Sequence, residues 1–354
     1  MMADKYSLGS FDRDAVLHSL AGEKLMEGIR LEHRFDRIDD PELIAYFGKM
    51  GLKMDIHFSQ GERWVTLCPA GWEEGKRIPL LCVMQEVYEG NEHLAVTALG
   101  YFYELTKIAA NGECILLFFV LEDPDANDLL ASLIDEAGAL YPVDLTRVYV
   151  MGHSHDGRFA LEFAARNYKK VAAAATLGNF CGLEDAGRLG AAGVTDKRME
   201  QLRTIELPLA NFCGCEEHGG KLPLNVDARD LPLRPGQEFG RTITLDSRIK
   251  AWQRRLYAWR CQPRSREEIL AAKESPDIVE RTLGFPVDQS SVRVMDGFRV
   301  FIGDLKNDEG NAFLRMAALE GMPHLPTAAM LNLAWEFMSR FSRNMETGKI
   351  MPLY

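Results

Sequence analysis

Ser154 stands in "VYVMGHSHDGRFALEF", residues 149–164, between an apolar, β-branched run and an amphipathic one. A serine hydroxyl is a weak nucleophile at neutral pH; it needs a base to take its proton. It must also stand clear of the backbone, which a sharp turn from strand into helix achieves. The helix N-terminus then offers N–H groups to an oxyanion forming beside the serine. Gly152, two residues earlier, suits such a turn, and the backbone N–H of His155 is expected to be one oxyanion donor. A serine placed there can also do no more than cap the helix. His153 and His155 flank it, but neighbours on a tight turn point apart, so they read as lining the pocket floor rather than as a metal pair. Asp156 occupies the place where such a turn usually carries glycine, because strand and helix pass closely there. A carboxylate beside a helix N-terminus is electrostatically acceptable, and Asp156 is expected to point sideways into the pocket lining.

The base should be a histidine, and the chain has eight. His18 and His33 lie in an amino-terminal arm, His57 in an early strand and His93 at a loop-to-helix boundary. His324, in "LEGMPHLPTAAMLNLAWEF", sits in a Gly- and Pro-marked loop before the last helix. Upstream, "LPLANFCG" leads into a loop with Glu216 and Glu217. A carboxylate there would orient an imidazole and stabilise its cation, a role Glu fills as well as Asp. Two exposed turn carboxylates are the plain alternative. His324 is the only histidine beyond that loop, so the chain order can be nucleophile, acid, histidine.

Elements that alternate along the chain must position these residues. "MDIHF" and "RWVTLCP" around "SQGE" predict a hairpin. The continuous apolar runs "IPLLCVMQ" and "ECILLFFVLE" suit strands buried on both faces of a parallel sheet. "HLAVTALGYFYELTKIAANG" and "NDLLASLIDEAGALYPVD" have helical spacing. "TRVYVMG", "VAAAATLG" and "LPLANFCG" read as further strands and "RFALEFAARN" as a helix, which together predict a doubly wound α/β sheet. Residues 1–53 read as an arm or cap, and residues 54–354 as the main domain. Residues 218–292, Pro- and Gly-rich and then helical over "SRIKAWQRRLYAWR" and "SREEILAAK", read as an insertion over a sheet edge. "DGFRVFIGDLKNDEGNAFLRMAALEG" predicts two strands around "NDEG", and "AAMLNLAWEFMSRFSRN" a final amphipathic helix.

The composition bounds the function. A chain of 354 residues with 47% hydrophobic and 26% charged residues is ordinary for a globular protein. Its net charge of −11 repels nucleic acid and anionic membranes. The Arg and Trp content of 218–292 therefore reads as a solvated face with aromatics packed beneath it. "MMADKYSLGSFDRDAVLHSL" has acids where a secretory signal is basic, and no apolar run approaches a membrane span, so a cytoplasmic protein is expected. Seven scattered cysteines read as reduced thiols, and Cys213-Gly214-Cys215 as small residues beside a turn. No metal-ligand spacing is present.

Four stretches resemble α/β-hydrolases of the polyhydroxybutyrate depolymerase and feruloyl esterase-like group. "YPVDLTRVYVMGHSHDG", with Tyr141-Pro142, Asp144 and Arg147, is similar to that group's approach to the nucleophile turn. "LPLANFCGCEE" resembles its acid strand, where an acid follows a glycine by three positions; Gly214 and Glu217 keep the interval. "GMPHLP" followed by "LAWEFMSRF" is similar to its histidine loop and last helix. "RIPLLCVMQ" corresponds to the strand that leads to its oxyanion loop. The likeness runs from about Met54 to the carboxyl end. It implies an α/β-hydrolase fold, with a mostly parallel central sheet, helices on both faces and a cap-like insertion. It also implies a serine carboxylesterase in which Ser154 is the nucleophile, His324 the base and Glu217 the acid, with Glu216 lining the pocket. The group's His-Gly-Gly is replaced by Met84-Gln85-Glu86-Val87, which passes the second oxyanion N–H to Gln85 or Glu86. No cofactor is implied, and a small intracellular ester is the expected substrate. Two other readings fit the same motifs. One is a hydrolase fold kept for binding after activity was lost, to which Asp156 and the missing His-Gly-Gly point; the other is a peptidase on this fold.

Overall fold

The computed structural model describes residues 24, 27–28, 30–31, 34–59, 62–73, 75–86, 92–121, 127–178, 200, 203–217, 222–227, 230 and 244–353. His18 and His33 lie outside them, as does most of the Pro- and Gly-rich 218–240 stretch. Two compact units divide the chain. The first comprises Glu23–Thr176, Glu206–Leu209 and Pro326–Tyr354; the described residues of the second fall within Leu177–Ile205 and Ala210–Leu325.

In the first unit, helix α1 (Pro41–Lys49) begins at Asp40, whose side chain accepts from the Glu42 N–H, and buries Leu43 and Phe47. Strands β1 (Leu52–Ser59) and β2 (Glu62–Pro69) pair antiparallel, with Ile56 opposite Val65, as the two β-rich runs around "SQGE" predict. The two continuous apolar runs become β3 (Ile78–Glu86) and β4 (Ile115–Leu121), parallel and in register at Leu81 and Leu116. β5 (Val143–His153) lies parallel on the other side of β3, with Met84 opposite Gly152. Leu81, Cys82, Leu116, Leu117 and Val150 are fully buried, so these strands have no polar face.

The strand order here is β1-β2-β4-β3-β5-β6, with β6 spanning Ala173–Leu177. The chain steps from β3 to β4 in one direction and from β4 to β5 in the other. Right-handed crossovers therefore put the intervening helices on opposite faces. Helices α2 (Glu92–Tyr101) and α3 (Tyr103–Ala110) cover one face and α4 (Asn127–Leu140) the other, followed by α5 (His155–Arg166) after β5. The sequence pattern reads α2 and α3 as one helix; the buried Phe102 forms a turn that separates them. Parallel at its centre and closed by an antiparallel hairpin, with helices on both faces, this is the α/β-hydrolase arrangement.

The second unit carries the order β7-β10-β9-β8. β7 (Leu209–Gly214) is wholly buried. β9 (Phe298–Lys306) and β10 (Ala312–Leu319) pair antiparallel around Asn307–Gly310, as "NDEG" predicts. β8 (Gln289–Met295) adds to β9, so residues 289–292, at the end of the 218–292 stretch, begin a strand. That stretch also contributes α6 (Leu245–Ala258), α7 (Arg266–Ala271), with a capping box between Ser265 and Glu268, and α8 (Ile278–Leu283), which stops at Gly284 with φ +67°.

The last helix differs from its sequence pattern. α9 (Ala328–Met338) ends six residues short of Asn344, and β11 (Phe341–Arg343) pairs with β12 (Ile350–Pro352) instead. Tertiary bonds override the helical period: the Tyr149 hydroxyl donates to the Phe341 carbonyl at 2.8 Å, and Arg343 reaches the Val171 carbonyl at 2.6 Å. Among the described residues no helix is long and apolar enough to cross a membrane.

Candidate active site

Ser154 joins β5 to α5 with φ 57° and ψ −121°. A non-glycine residue in that region stores about 1–3 kcal/mol of strain and needs its surroundings to enforce it. Ser154 occupies the N-cap position of α5, yet its side chain makes no capping hydrogen bond. A serine kept merely to cap the helix would adopt an extended backbone and accept from the first turn. The observed geometry instead holds the hydroxyl off the helix end.

Two glycines allow the turn. A Cβ on Gly152 would lie 2.4 Å from the Asp156 carbonyl oxygen. A Cβ on Gly157 would lie 3.0 Å from the Gly152 oxygen and 3.2 Å from the Thr176 Cβ. Strand and helix pass closely at both 156 and 157, and it is Gly152 and Gly157 that make the room, which lets position 156 carry an aspartate in place of the glycine usual there. Asp156 is buried in the first turn of α5, where the helix dipole favours a carboxylate. His153 is buried with its ring 6.1 Å from that of Tyr101. The exposed His155 ring meets Phe159 one turn along α5, 4.7 Å between centroids, while its backbone N–H is among the first of the helix, which have no intrahelical acceptor. β3 stays paired with β4 as far as Glu86, but with β5 only as far as Met84 opposite Gly152. Gln85 and Glu86 therefore run past the last paired residue of β5, alongside the turn.

In the second unit, β7 ends at Gly214 and the next residues turn toward the loop after β10. The Cys215 N–H donates to the Leu319 carbonyl and the Glu216 N–H to the Met322 carbonyl, both at 2.8 Å. A Cβ on Gly214 would sit 1.9 Å from the Met322 oxygen, so only glycine lets the two loops close to this distance. Glu217 is buried; its Oε1 accepts from the Gly214 N–H at 3.3 Å and its Oε2 meets His324 Nδ1 at 2.5 Å. A carboxylate accepts, so Nδ1 carries the proton and Nε2 is left as the basic nitrogen. Glu216, half-buried, is not the carboxylate at that ring nitrogen. Burial pushes the Cys215 thiol up to about 12, which keeps it protonated and non-nucleophilic.

Of the residues singled out in the sequence, Ser154 stands at the strand-to-helix turn, and Glu217, reached through the resemblance, meets His324. The part played by Gly157 is a structural finding, although "HDG" displays that glycine directly after Asp156, and sequence reasoning missed it. It also missed the contact of Gly214 with Met322, for which no local signal exists.

No protein-family model and no curated protein matches the chain. Among solved structures it is similar to a thermostable esterase at 14% identity, covering 47% of this chain and 46% of that one, with a TM-score of 0.35. It is similar to an S-formylglutathione hydrolase (FrmB) from Staphylococcus aureus at 15% identity, 47% and 77% coverage and a TM-score of 0.36. A ferulic acid esterase is similar at 13% identity, 58% and 85% coverage and a TM-score of 0.36. The chain thus spans less than half the length of the thermostable esterase.

Proposed function

We propose that the protein is a serine hydrolase that cleaves a small carboxylic ester through an acyl-enzyme. The strained, non-capping Ser154 between β5 and α5 is the observation that carries this reading. The Glu217–His324 pair, later in the chain in the order such enzymes use, supports it.

In this mechanism the Ser154 Oγ attacks the ester carbonyl carbon as His324 Nε2 takes its proton. Glu217, bound to Nδ1, fixes the tautomer and stabilises the imidazolium. The tetrahedral oxyanion is held by the backbone N–H of His155 and by that of Gln85 at the end of β3, each such donor contributing about 3 kcal/mol. The C–O bond then breaks, His324 returns the proton to the leaving alcohol, and water repeats the sequence to free the acid and Ser154. His153, Asp156 and Glu216 line the pocket.

A fluorophosphonate probe should label Ser154, and Ser154→Ala should abolish both labelling and p-nitrophenyl acetate turnover. Glu217→Gln, which keeps the acceptor but not the charge, should slow turnover by about 10²–10⁴-fold. A folded wild-type protein that neither labels nor turns over esters would point to a binding protein on this fold. Cleavage of aminoacyl amides without ester hydrolysis would point to a peptidase.

A further inference from the structure

The second unit contains an open cleft of about 400 Å³ formed by α6, the loop that follows it and the β9–β10 turn. Three arginines line it, Arg203, Arg260 and Arg264, with Tyr257 and a single carboxylate, Asp308. In a chain with more acids than bases, three guanidinium groups at one cleft require an explanation. Surface arginines are usually neutralised by nearby carboxylates, and at Arg203 and Arg264 that neutralisation is incomplete. Arg203 lies over the Tyr257 ring, 4.4 Å from its centroid, and donates at 3.5 Å to the Tyr257 carbonyl. It has no carboxylate partner among the described residues. Arg264 pairs with Asp288 through one terminal nitrogen, but its Nε is buried with no acceptor among the described residues. Arg260, the third arginine of the cleft, lies 3.5 Å from both Asp308 and Glu309.

The backbone holds this arrangement at a cost. Arg260 has φ +55°, a region non-glycine residues rarely adopt. The Cys261 N–H returns to the Leu256 carbonyl at 2.8 Å, and Gln253 Nε2 donates to the Arg264 carbonyl at 3.1 Å, tying the loop to α6. Burial pushes the Cys261 thiol up to about 12, so the cleft offers no nucleophile and suits binding.

From this geometry we infer that the cleft is a second ligand site, which takes a metabolite-sized molecule through an oxyanion group, a carboxylate or a phosphate. The planar fork of arginine matches both groups in pairs of bonds. The volume lies within the range of small-molecule sites. The site is separate from the Glu217–His324 pair. Asp308 precedes β10 and His324 follows it, and eight extended residues hold the two ends about 26 Å apart. The inference therefore stands whether or not the protein is an esterase.

Calorimetric titration of the full chain with inorganic phosphate and with benzoate tests it, against sodium chloride at matched ionic strength. At least one of the two should bind at one site per chain, and which of them does distinguishes phosphate from carboxylate recognition. Arg203→Gln should weaken that binding about tenfold, the effect of one lost charge-assisted bond. Arg264→Gln should do the same, with the melting temperature reporting whether loss of the Asp288 pair disturbs folding. Arg166→Gln, on α5, should bind as wild type. Heats no larger than those of chloride for both probes, or undiminished binding in the folded Arg203→Gln variant, would overturn the inference.

Discussion

Gly214→Ala probes how the acid and histidine loops are held together. The new Cβ would start 1.9 Å from the Met322 oxygen, 2.5 Å from its carbonyl carbon and 2.6 Å from the Pro323 oxygen, all backbone atoms that cannot rotate away. Since real Cβ contacts stay beyond 3.0 Å, the loop must retreat by at least about 1.1 Å from its 1.9 Å contact. The Met322 carbonyl is also the acceptor for the Glu216 N–H at 2.8 Å, and His324 follows it by two residues. A retreat of that size breaks this bond and stretches the 2.5 Å contact of Glu217 with His324. Overpacking at a tight site costs about 1–3 kcal/mol, and displacement of a catalytic group by about 1 Å costs about 10²-fold in rate. The variant should therefore lose about 10²-fold in kcat/KM on p-nitrophenyl acetate, lower the urea midpoint and speed hydrogen exchange at the Glu216 amide. Gly71→Ala, whose Cβ would meet nothing within 4 Å, is the control and should change none of these. Wild-type turnover together with slow Glu216 exchange in Gly214→Ala would refute the reasoning.

Two other perturbations read the first unit. Arg343 is fully buried and donates to the carbonyls of Val171, Gly348 and Glu206. Arg343→Met leaves the buried Val171 carbonyl and the half-buried Gly348 and Glu206 carbonyls without this donor and should cost about 1–3 kcal/mol, seen as a fall in the urea midpoint; a loss below about 0.5 kcal/mol would show that the guanidinium is dispensable. His57 stacks on Trp64 at 4.1 Å and hydrogen-bonds the Tyr141 hydroxyl, which donates to Asp55. Burial, opposed by Asp55 and Glu136 and reinforced by Lys53, holds its pKa below the ordinary 6.5. The unfolded chain then binds the proton more readily, so this contribution is complete above pH 6.5 and is lost as pH falls from there through the folded value. Melting temperatures across that window should fall less steeply for His57→Gln than for wild type, and equal slopes would contradict the assignment.

The amino-acid sequence determined what depends on near neighbours. Short β-rich runs and unbroken apolar runs produce β1 to β5 because a strand's burial is written in its own residues. "GHSHDG" between such a strand and an amphipathic run produces the Ser154 turn, since the glycines it needs lie within three residues of the serine. The order of "GCEE" and "GMPHLP" narrowed the other two positions to His324 and the Glu216–Glu217 pair, with the resemblance favouring Glu217. Tertiary structure alone decided the rest, because its causes lie far apart along the chain. Met338 ends α9, despite a helical pattern that continues, because Arg343 and Phe341 bond to residues more than 150 positions away. Glu217 rather than Glu216 meets His324 because the backbone of Gly214 closes on Met322, 108 residues later. Of the arginines of the second cleft, Arg260 and Arg264 lie in the stretch read from sequence as a solvated face and Arg203 outside it; they line one cavity only once these separate segments are packed together. Periodicity records how a segment divides between core and solvent; which distant segment arrives to meet it depends on the packing of the whole fold.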